Sequence, residues 1–370
     1  MRAELQVEKS LRALRSLGTA ATRYLLQKRP VPLSVTAAPT NRCPARCRYC
    51  AIPELGRSEE HSEAWWIETL DELRGLGMQR LGFTGGEPLL FEGIERIVAR
   101  ARELGVLVSL GTNGLLVPSR AATVSRLNYM VVSVDGPREL NDFQRFEGSY
   151  DAAMEAIRTA RSLGVPVWVT SVVTRRTMQD LAALLAWAER HELRLNLQLP
   201  FHPESYCGLD NSALFPTMSE IEVFLRRVKP LSGPNGRILN SRAYWAHVER
   251  WVGIGQSIVE EAETGAGAGY ARCLGGRLFF HIEPDGRVYP CAHQVGSFQA
   301  KKAHRSDTGL EIALEEAGRT SCATCLSAYA QEQSLLFGLQ PRAVLSWAAA
   351  IMPVVLSKLG AAAETPSSPE

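Results

Sequence analysis

Short apolar runs recur through the middle of the chain, at 33–38, 80–84, 106–112, 129–134, 166–173 and 194–199, each of strand length and rich in β-branched residues. Between and after them lie longer stretches whose apolar positions return every three or four residues, at 61–76, 91–104, 119–126, 150–163, 178–191 and 217–228. Parallel neighbours in a sheet need a crossover of a dozen or more residues, usually a helix, whereas a tight turn joins antiparallel ones. Six such units predict an α/β fold with a parallel sheet, open and doubly wound or curved into a barrel. The length of 370 residues leaves room for six strands of barrel rather than eight, so the expected architecture is a partial (βα)6 TIM-like barrel with a small C-terminal module.

The flanks have their own patterns. Over 4–28, Val7, Leu11, Leu14, Ala21 and Leu25 fall on one face of a helix, while Lys9, Arg12, Arg15, Arg23 and Lys28 make the polar side basic, and Pro30 and Pro32 end it. Residues 231–270 form a connector, with a helix near 240–262 between two glycine-rich stretches. Strands at 277–283 and 286–290 flank the turn signal Pro284-Asp285-Gly286. The stretch 335–359 is apolar, but Pro341, Arg342 and Pro353 interrupt it, so a membrane-spanning helix is not expected. The expected division is 1–32 (amphipathic helix), 33–230 (barrel), 231–270 (connector), 271–332 (cysteine-bearing module), 333–360 (apolar helix) and 361–370 (disordered tail).

Composition narrows the function classes. A hydrophobic content of 45% can build a sizeable core, and a net charge of +2 gives no case for nucleic-acid binding. The first ten residues contain no apolar signal-peptide core, so a cytoplasmic setting is expected, in which clustered cysteines read as metal ligands before disulfides. Of the eight cysteines, Cys43, Cys47 and Cys50 form one group and Cys273, Cys291, Cys322 and Cys325 a second, leaving Cys207 alone.

The first group follows the first strand directly and has the spacing C-x3-C-x2-C. Three thiolates can hold three irons of a four-iron, four-sulfur (4Fe-4S) cluster and leave the fourth iron open to a ligand. A zinc site completed by a remote residue, or buried structural thiols, would use the same residues. Thr84-Gly85-Gly86-Glu87-Pro88 closes the second strand: the glycines let a backbone approach closely, and Glu87 offers an acceptor for an ammonium group. Thr112-Asn113-Gly114 closes the third strand and Ser133-Val134-Asp135-Gly136 the fourth. Four thiolates in the second group close a 4Fe-4S cluster with no open site, or a structural zinc.

With Tyr49 before the third cysteine, C-x3-C-x2-C resembles the signature of the radical S-adenosylmethionine superfamily, and Gly85–Pro88 resembles its GGEP motif. The resemblance implies that Cys43, Cys47 and Cys50 carry a catalytic cluster whose open iron binds S-adenosylmethionine. Reductive cleavage of that cofactor would give a 5′-deoxyadenosyl radical that takes a hydrogen atom from the substrate. It also implies cofactor contacts from Tyr49, Gly85, Gly86, Glu87, Pro88, Asn113 and Asp135, with Ser133 at the ribose and Arg145 at the carboxylate. The stretch 133–151 resembles the SPASM/Twitch branch, departing from it at Asn141, where His is common, and at Phe146, where Gly is common. The second cysteine group resembles a Twitch module with one auxiliary cluster held by Cys273, Cys291, Cys322 and Cys325.

An electron donor such as flavodoxin or ferredoxin is then expected, with oxidation or cross-linking of a peptide side chain or small molecule as the outcome. Thr170, Ser171 and Gln198 are expected on the substrate side, together with His202, Glu204, Tyr206 and Cys207. The basic N-terminal helix and the apolar 335–359 stretch raise peripheral membrane contact and a lipid or isoprenoid substrate as an alternative. A zinc-binding scaffold or regulatory protein is the non-enzyme alternative.

Overall fold

A computed structural model describes residues 22–50, 52, 59–200, 214–233, 236–251, 258–260, 271–295, 308–320, 322–341, 343–345 and 348. Strands form on the apolar runs: β1 (Ser34–Ala37), β2 (Arg80–Phe83), β3 (Leu107–Thr112), β4 (Tyr129–Ser133), β5 (Val167–Val172) and β6 (Leu195–Gln198). They pair in parallel in chain order. The crossovers carry α1 (Glu63–Gly75), α2 (Ile94–Glu103), α3 (Ala121–Ser125), α4 (Arg138–Gln144), α5 (Ser149–Ser162), α6 (Arg175–Gln179), α7 (Leu181–Arg190) and, after β6, α8 (Met218–Val228). Start signals are local: Ser62 caps α1 by accepting from Trp65 N–H, and Thr217 and Glu220 form a reciprocal capping box on α8, each cap worth about 1 kcal/mol.

Alternation along the strands divides the sheet into two faces. Val35, Ala37, Leu81, Phe83, Val108, Leu110, Met130, Val132, Val169, Leu195 and Leu197 are buried in one core with Trp66, Leu70, Leu73, Ile97, Val98, Ile157, Leu184 and Trp187 of the helices. Full burial of each large side chain stabilises the fold by about 1.5–3 kcal/mol. The strand register puts Ser34, Thr36, Arg80, Gly82, Ser109, Gly111, Tyr129, Ser133, Trp168, Thr170, Asn196 and Gln198 on the opposite face, which lines the lumen of the partial barrel. That face is mostly polar, so each strand that reads as apolar in sequence has one dry and one functional side.

The turn at Pro284–Gly286 closes the expected hairpin, formed by β8 (Phe279–Ile282) and β9 (Val288–Tyr289). Its first strand does not stand in a separate sheet. β8 pairs in parallel with β1, giving the order β6-β5-β4-β3-β2-β1-β8-β9. The helix expected over 240–262 is shorter among the described residues: α9 spans Arg242–Trp251, and Ile258–Glu260 is a strand, β7. β7 pairs antiparallel with β10 (Cys322–Cys325), its β-branched Ile258 and Val259 suiting a ladder better than a helix end. Beyond it lies α11 (Ala328–Phe337), and before it α10 (Leu310–Ala317). In α11 even Gln331, Glu332, Gln333 and Ser334 are buried. Glu332 accepts from Ser241 N–H at 2.5 Å, Ser334 from Leu274 N–H at 3.0 Å, and Gln331 donates to Thr324 at 3.1 Å. These bonds offset the desolvation of the polar groups.

Of the N-terminal amphipathic stretch, residues 1–21 lie outside the described residues, and Thr22–Leu26 form one π-helical turn. Arg23, read as part of the solvent-facing basic side, is instead buried and paired with Glu311 of α10. Val31 N–H donates to Arg277 C=O at 2.7 Å, so this segment packs on the approach to β8. Among the described residues no helix is long and apolar enough to cross a membrane. Most of 338–360 and all of 361–370 lie outside them.

Candidate functional site

The loops after β1, β2, β3 and β4 meet at the carboxyl end of the sheet, where barrel enzymes place their chemistry. The cysteine loop is held from below by the loop after β2: Thr84, Gly86 and Glu87 N–H groups donate to Ala37, Thr40 and Arg42 carbonyls at 2.9–3.0 Å. Gly85 has φ +106°, and a Cβ there would stand 2.7 Å from Thr40 O; one on Gly86 would stand 2.2 Å from Arg42 O. The two glycines therefore admit the backbone of the cysteine loop itself, a neighbour that the sequence does not name.

Glu87 is fully buried. It accepts from Thr112 Oγ1 at 2.9 Å, Asn113 N–H at 2.9 Å and Leu89 N–H at 3.3 Å. Burial pushes its carboxyl up to about 7 against these hydrogen bonds. Asn113 in turn points its amide at Cys43 Sγ, 3.7 Å away. Glu87, Asn113 and Cys43 thus form one line from the second strand's loop to the first thiol.

On the other side of the loop, Tyr49 donates to Asp135 Oδ2 at 2.7 Å. Asp135 is 0% exposed and pairs with Arg145, 7% exposed, through Nη2 at 3.0 Å and Nε at 2.9 Å. Its Oδ1 also accepts from Val172 N–H at 2.8 Å, and its own N–H donates to Asn141 Oδ1 at 2.8 Å. Asn141, where the sequence departs from the family pattern, thus anchors the loop after β4, and it donates to Ser149 at 2.7 Å. Arg145 stands over the Tyr49 ring, 5.6 Å from its centre. Burial alone would lower the Arg145 pKa, but Asp135, Tyr49 and Cys47 beside it raise it. Two of its three guanidinium nitrogens face Asp135, so the contact expected with a cofactor carboxylate has an internal competitor.

Cys43, Cys47 and Cys50 are partly buried, and Cys50 N–H donates to Cys47 C=O at 3.0 Å. Burial raises all three thiols, Cys47 to about 11 against the pull of Arg145. Among the described residues no three His, Cys, Asp or Glu side chains converge as a single bound ion requires. A four-iron cube takes its thiolates on separate corners, which suits a half-open loop of three thiols next to a cation.

In the second group, Cys273, Cys291 and Cys325 are buried together with Phe279 and Ala330. Burial comes first in raising them, Cys325 to about 12, and Cys291 is raised further by the other two. Cys322 is partly buried at the start of β10, before a register shift that ends at Thr324. Gly275 N–H donates to Cys273 Sγ at 3.4 Å, and Gln331 reaches Cys325 Sγ at 4.0 Å.

Ser133, Thr170 and Gln198 line the lumen, whereas Ser171 lies on the helix side, buried, donating to Val134 C=O. His202, Glu204, Tyr206 and Cys207 lie outside the described residues. Sequence reasoning missed a buried polar chain that joins both halves. Asn41 donates to Glu283 at 2.9 Å, Glu283 pairs with His281 at 2.6 Å, and His281 Nδ1 meets Thr36 at 2.9 Å. Tyr329 of α11 closes it on Thr36 at 3.5 Å. A His and a Glu two apart in a strand face the same way, and that spacing was the available signal.

The Radical SAM superfamily model matches residues 38–188. Curated relatives named PqqA peptide cyclase are similar: that of Methylorubrum extorquens (strain PA1) is 28% identical over 276 residues, 71% of this chain and 66% of the relative. That of Gluconobacter oxydans (strain 621H) is 27% identical over 271 residues, 70% of each. The match thus spans just under two thirds of the first relative's length. Among solved structures, Streptococcus suis SuiB bound to precursor peptide SuiA has a TM-score of 0.61 at 14% identity, over 84% of this chain and 74% of that one. Native anSMEcpe with bound AdoMet and Cp18Cys peptide has a TM-score of 0.58 at 18% identity, over 82% and 83%. These likenesses show the partial-barrel fold.

Proposed function

We propose that this chain, whose residues 38–188 form a radical S-adenosylmethionine domain, is an enzyme that cleaves S-adenosylmethionine reductively and oxidises or cross-links a side chain of a peptide. The observation that carries the reading is the line Glu87–Asn113–Cys43, which sets a carboxylate and an amide beside the first thiol of the C-x3-C-x2-C loop. When bound, the cluster and S-adenosylmethionine supply an electron and a hydrogen-abstracting radical.

The residues divide that work. Cys43, Cys47 and Cys50 hold three irons. Glu87, kept buried with its oxygens directed by Thr112 and Asn113, receives the cofactor's ammonium group. Arg145 offers positive charge to its carboxylate, and Asp135 fixes the orientation of both Arg145 and Tyr49. Ser133 and the polar lumen face below it exclude bulk water and meet the substrate. Residues 271–332 carry the auxiliary cluster on Cys273, Cys291, Cys322 and Cys325, and a flavodoxin- or ferredoxin-type donor supplies electrons. The peptide class of substrate rests on the relatives named PqqA peptide cyclase.

Anaerobic reconstitution tests the reading, with iron counted per chain and 5′-deoxyadenosine measured after reduction. About eight irons with two four-iron clusters are expected, and Cys43→Ala should abolish 5′-deoxyadenosine release. Zinc in place of iron, with no cleavage, refutes the proposal.

A further inference from the structure

The cysteine loop has a second side. Tyr49 turns inward to Asp135 and Arg145, whereas Arg46 and Arg48, which alternate with the cysteines, are exposed. Arg46 folds back on the loop, donating through Nη1 to Cys43 C=O at 2.8 Å and Ala45 C=O at 2.9 Å. Arg48 N–H donates to Gln144 C=O at 2.9 Å and its Nε to Phe143 C=O at 2.7 Å, which ties the loop to the end of α4. The Phe143 ring is 37% exposed, and the guanidiniums of Arg48 and of Arg176, at the start of α6, lie over it at 4.5 and 4.2 Å from its centre. Such contacts hold a guanidinium in place and leave its N–H groups free to bond.

These three cations differ from their neighbours in pairing. Arg42 pairs with Glu60 at 2.9 Å and Arg175 with Glu220 at 3.0 Å. Among the described residues no Asp or Glu pairs with Arg46, Arg48 or Arg176, and no hydrogen bond uses the Nη groups of Arg48 or the guanidinium of Arg176. Asp142, the carboxylate of α4 next to Phe143, is taken by Ser149 Oγ at 2.9 Å and Tyr150 N–H at 2.7 Å. The whole chain carries a net charge of only +2, so this excess is local. A cleft bordering Gly276, close in the chain to Cys273, is also lined by arginines, but there Arg29 pairs with Glu311 and Glu315 and Arg319 with Glu316.

We propose that Arg46, Arg48 and Arg176, set around Phe143, form the docking surface for an acidic one-electron carrier protein that reduces the cluster of the first cysteine group. The assignment rests on the proposed function, which needs an electron at that cluster. Glu87, Asn113, Asp135 and Arg145 take up the inner side of the loop, so the electron enters from the outer side. Arg46 and Arg48 flank Cys47 in the chain, so a protein bound to them stands next to a cluster ligand, and electron tunnelling requires that proximity. One electron leaves the carrier, oxidising it by one, and enters the cluster, reducing it by one; no covalent bond forms or breaks. Carboxylates of the carrier pair with the open guanidinium N–H groups, the exposed ring supplies an apolar centre, and the positive field steers the encounter. The three arginines are binding residues for the partner, and none is catalytic.

The test is anaerobic calorimetry on the reconstituted full-length chain, titrated with oxidised flavodoxin (an acidic carrier), with cytochrome c (a basic one) and with poly-glutamate. Saturable binding of flavodoxin and none of cytochrome c is expected, weakened about tenfold or more by Arg176→Glu and less by Arg176→Gln. Binding should fade between about 0.01 and 1 M salt, as the screening length drops from about 30 to about 3 Å. As a second readout, 5′-deoxyadenosine release driven by reduced flavodoxin should fall in Arg176→Glu relative to release driven by reduced methyl viologen, a small cation that needs no docking. Taking that ratio within each variant removes differences in cluster content. Arg48→Gln should act in the same direction; circular dichroism and the thermal midpoint check that the variants fold, and if Arg48→Gln does not, the exposed Arg176 still decides. Flavodoxin binding that is absent, insensitive to salt or unchanged in Arg176→Glu overturns the proposal. Poly-glutamate binding that depends on the arginines, with flavodoxin-driven release unchanged by Arg176→Glu, assigns the surface to a peptide and also overturns it. Release with methyl viologen but no arginine-dependent flavodoxin binding rejects only this surface, whereas no release with either reductant and no iron rejects the proposed function.

Discussion

Asp135→Asn is the sharpest perturbation of the site's frame. The carboxylate is fully enclosed and serves three donors at once, Tyr49 O–H at 2.7 Å, Val172 N–H at 2.8 Å and the Arg145 guanidinium at 2.9–3.0 Å. An amide keeps the shape but has one acceptor, so its NH2 must face Arg145 or Tyr49, and Arg145, 7% exposed, loses its counter-charge. Removing one partner of a buried ion pair costs about 3–5 kcal/mol, a large part of a domain's total stability. Anaerobic urea unfolding of the full chain should show a loss in that range. Arg145→Met, which leaves a carboxyl that can protonate, should cost less. The double variant should recover at least about 2 kcal/mol relative to the sum of the singles, because the pair acts as a unit. A loss below about 1 kcal/mol for Asp135→Asn, or strict additivity in the cycle, would refute the view that the pair holds the site together.

Three further outcomes are expected. Gly86→Ala drives a Cβ to 2.2 Å from Arg42 O, so it should lower both the thermal midpoint and the iron retained per chain, while Gly75→Ala, with nothing within 4 Å, should change neither. His247 is buried with its pKa lowered to about 4, chiefly by desolvation, so the unfolded chain binds the extra proton first. Stability should be full above the unfolded value near 6.5 and fall by about 2 kcal/mol between pH 7.5 and pH 5, a loss that His247→Gln removes in chemical denaturation at those two pH values. Glu283→Ala leaves the buried Asn41 and His281 without their shared acceptor, and differential scanning calorimetry should record a cost of about 1–3 kcal/mol.

Much of the molecule was already determined by the sequence. Apolar runs of strand length and helical periodicity between them dictated the parallel βα order, because burial on the helix side is a local pattern that tertiary contacts only reinforce. The C-x3-C-x2-C spacing, Gly85–Pro88, Asn113 and Asp135 were visible as short motifs, and the fold brings their loops to one end of the sheet. Other features belong to the tertiary structure alone. Parity does not tell which strand face becomes the lumen, and only the register puts Arg80, Ser109 and Tyr129 side by side on it. The pairing of β8 with β1 joins residues 34–37 to 279–282, and no local signal specifies a contact across so long a stretch of chain. The bonds Asn41–Glu283 and Tyr329–Thr36 follow from that assembly: buried polar groups take whichever partner the packed chain puts within reach, and only the three-dimensional arrangement of distant segments decides which that is.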